Sequence, residues 1–140
     1  MSVIIREMHI QDYDAVLALW QASEGIGLSD ADVRDNIARY LERNPNLSFV
    51  AYANGQLVGA VLCGHDGRRG FLHHLAVNQA YRRQGIGRAL THKCLTGLKQ
   101  AGIDKCHLFV FGKNEIAINF WKDIGWTQRV DLVLMSRHTG

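Results

Sequence analysis

Cysteine is scarce in this sequence, and the cysteines that occur are far apart: Cys63, Cys94 and Cys106. An odd number of cysteines at wide spacing opposes a disulfide framework, and no Cys-x-x-Cys pair indicates a zinc or redox site. The sequence therefore predicts reduced, buried thiols in a cytosolic protein.

Long apolar segments are also missing. The first residues, MSVIIREMHI, lack the basic region followed by a long apolar region that is typical of a signal peptide. No apolar stretch approaches the roughly 20 residues needed to span a bilayer. We therefore expect a cytoplasmic protein with no membrane partner.

An excess of one charge sign is absent as well. The chain has 140 residues with a formal net charge of +3, and 47% of the residues are hydrophobic. This composition is typical of a globular protein, and the length predicts a single domain over residues 1–140. Because the positive charge is small and no strand pair or helix interleaves aromatic and basic residues, we expect no nucleic-acid partner.

Apolar periodicity predicts a strand followed by two helices in the first third of the chain. Val3–Glu7 is short and rich in β-branched residues, which is typical of a strand. A helical period of apolar residues starts at Ile10. Ser29 or Asp30 can cap a second helix, which ends near Pro45.

The rest of the chain alternates strand and helix patterns. Two apolar runs around Asn54 and Gly55 predict a hairpin, and Phe71–Val77 predicts a third strand beside it. A long helix then ends near Gly102, a strand follows at Cys106–Phe111, NEIAINFWKDIG predicts a short helix, and WTQRVDLVLMSR predicts a final strand or broken hairpin. The order is therefore β-α-α-β-β-β-α-β-α-β, an α+β domain.

The segment AYRRQGIGRAL concentrates positive charge and glycine between a strand and a helix. The first amides of a helix lack intrahelical partners and lie at the positive end of its dipole, so they form an anion site. Gly85 and Gly87 let the backbone approach phosphate oxygens, and Arg82, Arg83 and Arg88 can add hydrogen bonds. The sequence of this segment matches neither a Walker loop nor a GxGxxG motif. A purely structural arginine-glycine turn remains open at this point.

Three further segments make a resemblance specific. RRQGIG fits the Q/R-x-x-G-x-G/A signature of the GNAT superfamily of N-acetyltransferases, and HHLAVNQAY resembles the fourth strand of that family. NEIAINFWKDIGW resembles its N-x-x-A-x-x-F-Y-x-x-x-G-F segment, and VAYANGQLVGAVL resembles its second and third strands. The resemblance covers roughly residues 48–126. It implies a mixed, mostly antiparallel central sheet of about six to seven strands flanked by about four helices.

The resemblance implies acetyl-CoA as acyl donor and places it on named residues. The pyrophosphate would lie on the loop Arg82–Arg88, chiefly on the amides of Arg83, Gln84, Gly85, Ile86, Gly87 and Arg88. The pantetheine arm would pair with the free edge of the fourth strand at Leu75, Ala76 and Val77. Asn114 and Trp121 match cofactor-contacting positions. Asn114 also suits a helix N-cap.

The reaction implied is attack of an acceptor amine on the acetyl group, and it needs a base. His73 and His74 are candidates, with His74 ahead because HLAV resembles related acetyltransferases. Adjacent strand residues face opposite sides, so we expect at most one of the two to face the acceptor. Glu24 is a further candidate. The tyrosine that usually acts as general acid is replaced here by Trp121, which cannot ionise usefully.

Several alternatives stay open on the sequence alone. A metal site from His65, Asp66, His73 and His74 lacks the usual zinc spacing, so we expect no metal. The missing tyrosine also suits a non-catalytic acyl-CoA sensor of the same fold. The acceptor, expected to be a primary amine of a small molecule or a protein, is not specified, and the chain can be a monomer or a homodimer.

Overall fold

A five-stranded sheet organises the computed structural model, which describes residues 2–140. The strands follow one another in space as in the chain, and they are β1 (Val3–Glu7), β2 (Phe49–Ala53), β3 (Gln56–His65), β4 (Gly70–Val77) and β5 (Cys106–Leu108). The first four pair antiparallel, and β5 pairs parallel to β4. The prediction of a mixed, mostly antiparallel sheet is confirmed.

Four α-helices are present among residues 2–140, as the order of apolar periods predicts: α1 (Tyr13–Gln21), α2 (Arg34–Arg43), α3 (Ile86–Gln100) and α4 (Glu115–Asp123). Short 3₁₀ turns precede α1, α2 and α3. None of the described helices has both the length and the apolar character needed to cross a membrane.

Helices pack on both faces of the sheet. On one face, α1 and α2 contribute to a buried cluster with the strands, and its members are Met8, Tyr13, Val16, Leu19, Trp20, Ile37, Val50, Leu57, Ala60, Leu62 and Ala76. On the other face, α3 approaches β3 closely at Gly59, where an added Cβ would lie 3.0 Å from Leu90 and 3.2 Å from Ile86. Glycine at this position therefore brings the start of α3 close to the sheet.

Buried polar groups attach the end of α2 to β3. Asn44 is 5% exposed. Its side-chain oxygen accepts from the backbone amide of His65 at 3.0 Å, and its side-chain NH₂ group donates to the backbone carbonyl of Tyr40 at 3.2 Å. Because a buried polar group without a partner is costly, these bonds hold the C-terminal turn of α2 in place beside the strand.

The described chain divides into two compact units, the first ending at Phe109 and the second running from Val110 to Gly140. The second unit contains α4, whose Asn114 cap accepts from the amide of Ala117 at 3.1 Å. The Trp121 ring lies 5.1 Å from the Phe120 ring and 5.3 Å from the Trp126 ring. The expectation of one domain over residues 1–140 stays a prediction.

The expectation of six to seven strands is wrong, because the described chain forms five. The difference lies in the tail, where residues 127–140 form no strand. Its apolar side chains are exposed, with values from 61% to 87% at Val130, Leu132, Val133, Leu134 and Met135. An apolar pattern indicates a strand only if a neighbouring strand supplies the other half of the hydrogen-bond ladder, which the sequence alone does not reveal.

Candidate active site

A cavity of about 800 Å³ lies in the first unit, between α2, the segment before it, and strands β3 and β4. This volume is within the range of small-molecule sites. Its lining mixes titratable, cationic and apolar side chains: Gly27, Ser29, Ala31, Asp32, Asn36, Ile37, Arg39, Tyr40, Arg43, Leu62, His73 and His74. We refer to it below as the acceptor cavity.

Both histidines of β4 line this cavity, although regular strand alternation would place only one of two adjacent side chains on a given side. The reason is an irregularity in the ladder: Ala60 pairs with Ala76 and Leu62 pairs with His73, which places one extra residue in β4. His74 absorbs it with a φ of +55°, an uncommon value for a residue with a side chain. A bulge of this kind breaks strict alternation, so two neighbouring side chains reach the same cavity.

His74 is held by two neighbouring residues, Asp32 and Trp20. Its Nε2 lies 3.0 Å from Oδ1 of Asp32, and both side chains are largely buried at 18% and 10% exposed. The indole N–H of Trp20 donates to the His74 carbonyl at 3.0 Å, and the two rings lie 5.0 Å apart edge to face. The geometry fixes the imidazole in one orientation with an acid behind it, which is the arrangement of an oriented general base.

Asp32 is itself oriented by the segment that leads into α2. Its Oδ2 accepts from the amide of Ser29 at 3.0 Å, and its carbonyl accepts from the Tyr13 hydroxyl at 2.7 Å. Ser29 and Asp32 form a capping box at the 3₁₀ turn Asp30–Asp32. The local turn therefore places the carboxylate opposite His74 rather than in solvent.

His73 lines the same cavity and is half-buried. Burial lowers its pKa, and the neighbouring His74 lowers it further. Its ring lies 6.3 Å from the ring of Tyr40, whose buried hydroxyl has no hydrogen-bond partner among residues 2–140. Burial raises the pKa of Tyr40, so this phenol stays protonated at neutral pH.

Two arginines of α2 complete the acceptor cavity. Arg39 donates to the side-chain oxygen of Asn36 at 2.8 Å, and Arg43 donates to the carbonyl of His65 at 3.2 Å. Both arginines are exposed on the cavity rim. Glu24, the other candidate base, is exposed in the loop after α1 and does not line the cavity.

The loop before α3 presents a run of free amides. In the part of the chain that the structure describes, the amides of residues 83–88 donate no hydrogen bond, and the first amide that does is Ala89, to Gly85 at 3.0 Å. Arg83 and Gly85 both have left-handed φ values, +64° and +81°. Left-handed residues in such a loop can turn neighbouring N–H groups toward one point, which favours the binding of an anion.

The arginines of this loop differ in their contacts. Arg82 donates its Nε to the Val77 carbonyl at 3.1 Å, so its side chain ties the loop to the end of β4. Arg83 and Arg88 are exposed. We therefore expect Arg82 to shape the site, while Arg83 and Arg88 are free to contact an anion.

The C-terminal half of β4 lacks a partner on its β5 side within residues 2–140. β4 pairs with β5 only from Gly70 to Leu72; Ala76 and Val77 pair with β3 alone, and Leu75 lies in the irregularity of that ladder. An unpaired edge can accept an added strand-like ligand. Asn114 and Trp121 belong to the second unit and keep the contacts described above.

The sequence analysis misses Asp32, Tyr40, Arg39 and Arg43. A signal for Asp32 was available, because Ser29 followed three residues later by an acid is a capping-box pattern. The other three stand on α2, where spacing alone does not reveal which face meets β4. Among residues 2–140, no group of three or more His, Cys, Asp or Glu side chains is placed to hold a metal ion.

The chain is similar to known proteins over most of its length. A model of the acetyltransferase (GNAT) family matches residues 13–126. An acetyltransferase of Pectobacterium atrosepticum is 32% identical over 133 residues, which cover 95% of this chain and 93% of that protein.

Two solved structures share the fold. PaiA N-acetyltransferase from Thermoplasma acidophilum, in complex with coenzyme A, superposes with a TM-score of 0.77 at 20% identity over 91% of each chain. AAC(6')-Iy, in complex with the bisubstrate analog CoA-S-monomethyl-acetylneamine, gives 0.79 at 18% identity over 99% of each chain. At these identities the structures show the fold alone, whereas the sequence match covers most of the chain and shows that it belongs to the acetyltransferase (GNAT) family.

Proposed function

We propose that the protein is an acetyl-CoA-dependent N-acetyltransferase that acetylates a primary amine of a small molecule or protein. The observation that carries the proposal is the run of unpartnered amides at residues 83–88, at the positive end of the α3 dipole. A diphosphate is the part of coenzyme A that such a site would bind. The coenzyme A complexes of two proteins with the same fold support this donor.

The donor would extend from that loop along the edge of β4. Leu75, Ala76 and Val77 can hydrogen-bond to the pantetheine arm through backbone groups, which makes the contact independent of side-chain type. Acetyl-CoA would supply the acetyl group as an activated thioester. Asn114 and Trp121 are proposed as further contacts by their match to the family motif.

His74 would accept the proton that the acceptor amine loses. An ionised Asp32 can only accept hydrogen bonds, so Nε2 of His74 carries a proton toward it and Nδ1 keeps a free lone pair. The new C–N bond forms as the C–S bond breaks, the amine proton passes to Nδ1, and the thiol leaves as thiolate. A thiolate needs little help to leave, which fits a chain with Trp121 at the usual tyrosine position.

The donor site is tested by the thermal stability of the protein with acetyl-CoA. At a ligand concentration of 100 times Kd, binding should raise the unfolding free energy by about 2.7 kcal/mol. Gly85→Glu should abolish the shift, because it places a carboxylate at the proposed diphosphate site. Gly67→Glu is the matched control: Gly67 also has a positive φ, +95°, and no heavy atom within 4 Å of an added Cβ. An unchanged shift in Gly85→Glu refutes the assignment.

A non-catalytic acyl-CoA sensor is the second candidate, and Trp121 is the observation that favours it. Release of free thiol from acetyl-CoA in the presence of amines, amino acids and peptides separates the two functions. Turnover with any acceptor rules out the sensor. Saturable acetyl-CoA binding without turnover across the whole panel favours it.

A further inference from the structure

We propose that the acceptor amine also carries an anionic group, a carboxylate or a phosphate, and that Arg39 and Arg43 bind it. The inference rests on the proposed function, because it names the class of amine that the acceptor cavity takes. It comes from the distribution of charge around that cavity, which the donor site does not determine.

The two arginines act on the same space. They are four residues apart on α2, so their side chains lie one above the other on one helix face. Both line the acceptor cavity together with His73 and His74. An anion within reach of one guanidinium is therefore close to the other, and each can donate two parallel hydrogen bonds to oxygen atoms.

Neither guanidinium is neutralised by the protein. Both guanidinium groups donate to uncharged oxygens: Arg39 to the side-chain oxygen of Asn36, and Arg43 to the backbone carbonyl of His65. Among residues 2–140, the ion pairs between arginine and acid side chains involve Arg6, Arg69 and Arg129, and none includes Arg39 or Arg43. The acids on the same helix, Asp35 and Glu42, do not line the cavity.

Within the described residues, the only acid that lines the cavity already makes a hydrogen bond with each of its carboxylate oxygens. Asp32 faces His74 through one oxygen and the Ser29 amide through the other. The two guanidinium groups outnumber the single carboxylate of Asp32, and burial keeps His73 neutral, so the cavity carries an excess of positive charge. A purely cationic acceptor such as a polyamine would be repelled, whereas an amine with an attached anion would be oriented.

Orientation follows from the placement of the charges. The arginines belong to α2, and the histidines belong to the bulge of β4 on the facing wall of the cavity. An acceptor held by its anion at α2 would direct its amine toward His74. The volume of about 800 Å³ suits a small molecule of this kind.

The test compares amines with and without the anionic group, and each rate is referred to the concentration of the free, unprotonated amine. The pairs are glycine with glycinamide, β-alanine with β-alaninamide, and O-phosphoethanolamine with ethanolamine, and spermidine is the cationic acceptor. We expect kcat/KM, measured by thiol release, to favour the anionic member of at least one pair by about tenfold or more, since hydrogen bonds to charged groups are strong. The first two pairs report a carboxylate, and the third reports a phosphate.

Substitution assigns that preference to the two arginines. Arg39→Gln, Arg43→Gln and the double variant should lower kcat/KM for the anionic acceptor more than for its neutral partner, so that the preference disappears. Arg68→Gln is the control, because Arg68 is an exposed arginine in the turn after β3 and does not line the cavity. Equal rates for all pairs, or a preference that survives in the double variant, overturn the inference while the proposed function stands.

If none of the amines is acetylated, binding measurements test the inference instead. In that case the same probes are titrated calorimetrically into the protein with acetyl-CoA bound, or into the free protein if acetyl-CoA does not bind. Binding of an anionic probe over its neutral partner, lost in the double variant, supports the inference even where acetyl transfer fails. Equal or absent binding of every anionic and neutral probe overturns it.

Discussion

Replacing Asp32 with asparagine removes one charge opposite His74 and keeps the shape of the side chain. The asparagine oxygen can still accept from the Ser29 amide, as Oδ2 of Asp32 does at 3.0 Å. The asparagine amino group then faces Nε2 of His74, where Oδ1 of Asp32 lies 3.0 Å away. Since an amino group only donates, Nε2 must become an acceptor, and the imidazole proton moves to Nδ1.

That exchange blocks the nitrogen to which we assign the role of base. The lost interaction is a hydrogen bond to a charged group between largely buried side chains, which contributes about 1.5 to 3 kcal/mol. A loss of about 2 kcal/mol corresponds to a decrease in kcat of roughly thirtyfold. The KM for acetyl-CoA should not change, because the proposed diphosphate site is the loop before α3.

Steady-state thiol release gives kcat and KM, and ¹⁵N NMR of the histidine side chains reports which ring nitrogen of His74 carries the proton. Asp30→Asn is the matched control, since Asp30 is exposed in the same 3₁₀ turn and its carboxylate makes no hydrogen bond within residues 2–140. An unchanged kcat in Asp32→Asn, together with a moved proton, would refute the assignment of His74. Equal losses in both variants would mean that general surface charge is responsible.

Two stability predictions follow from buried contacts. Gly64→Ala should lower the unfolding free energy by about 1 to 3 kcal/mol, because its Cβ would lie 2.6 Å from the Tyr40 hydroxyl. Tyr52→Phe removes a 2.8 Å hydrogen bond to Asp12 and should cost about 1 kcal/mol at pH 7. Burial raises the pKa of Asp12, but hydrogen bonds from Arg6, the His9 amide and Tyr52 lower it overall, so this cost should shrink only as the pH falls below the ordinary pKa of an aspartate.

Denaturant unfolding checks both predictions against matched variants. Gly112→Ala should be neutral, because no heavy atom lies within 4 Å of its added Cβ. Tyr81→Phe should be neutral at every pH, since the Tyr81 hydroxyl makes no hydrogen bond among residues 2–140. A Gly64→Ala protein as stable as the wild type would contradict the packing described for α2. A Tyr52→Phe deficit that grows at low pH would contradict the role of Asp12.

Features determined within a few consecutive residues could be predicted from the sequence. The glycine spacing at residues 85–87 predicts free amides before a helix, and the structure has them there. Asn114 caps α4 as its side chain suggests. The helical periods of α1 and α3 are strong because each of these helices packs against the sheet, and α2 buries Ile37 in the same cluster as α1, so burial imposes the period.

Features that depend on contacts between distant segments could not be predicted in this way. The pairing of Asp32 with His74 spans 42 residues, and Arg39 and Arg43 reach the cavity only because Asn44 holds the end of α2 against β3. The tail illustrates the same limit in reverse, since its apolar pattern predicts a strand that the described chain does not form. In each case the sequence does not show which distant segment of the chain lies beside the residues in question.

The single extra residue in β4 has a consequence for protein engineering. Gly70 and Ala76 are an even number of positions apart, yet Gly70 faces Leu98 of α3 and Ala76 joins the cluster of α1 and α2 on the opposite side. Deleting one residue other than a histidine between them would restore a regular ladder and turn one histidine away from the cavity, although both imidazoles stay in the chain. Strand length, more than residue identity, is therefore the variable to control when this site is transplanted or redesigned.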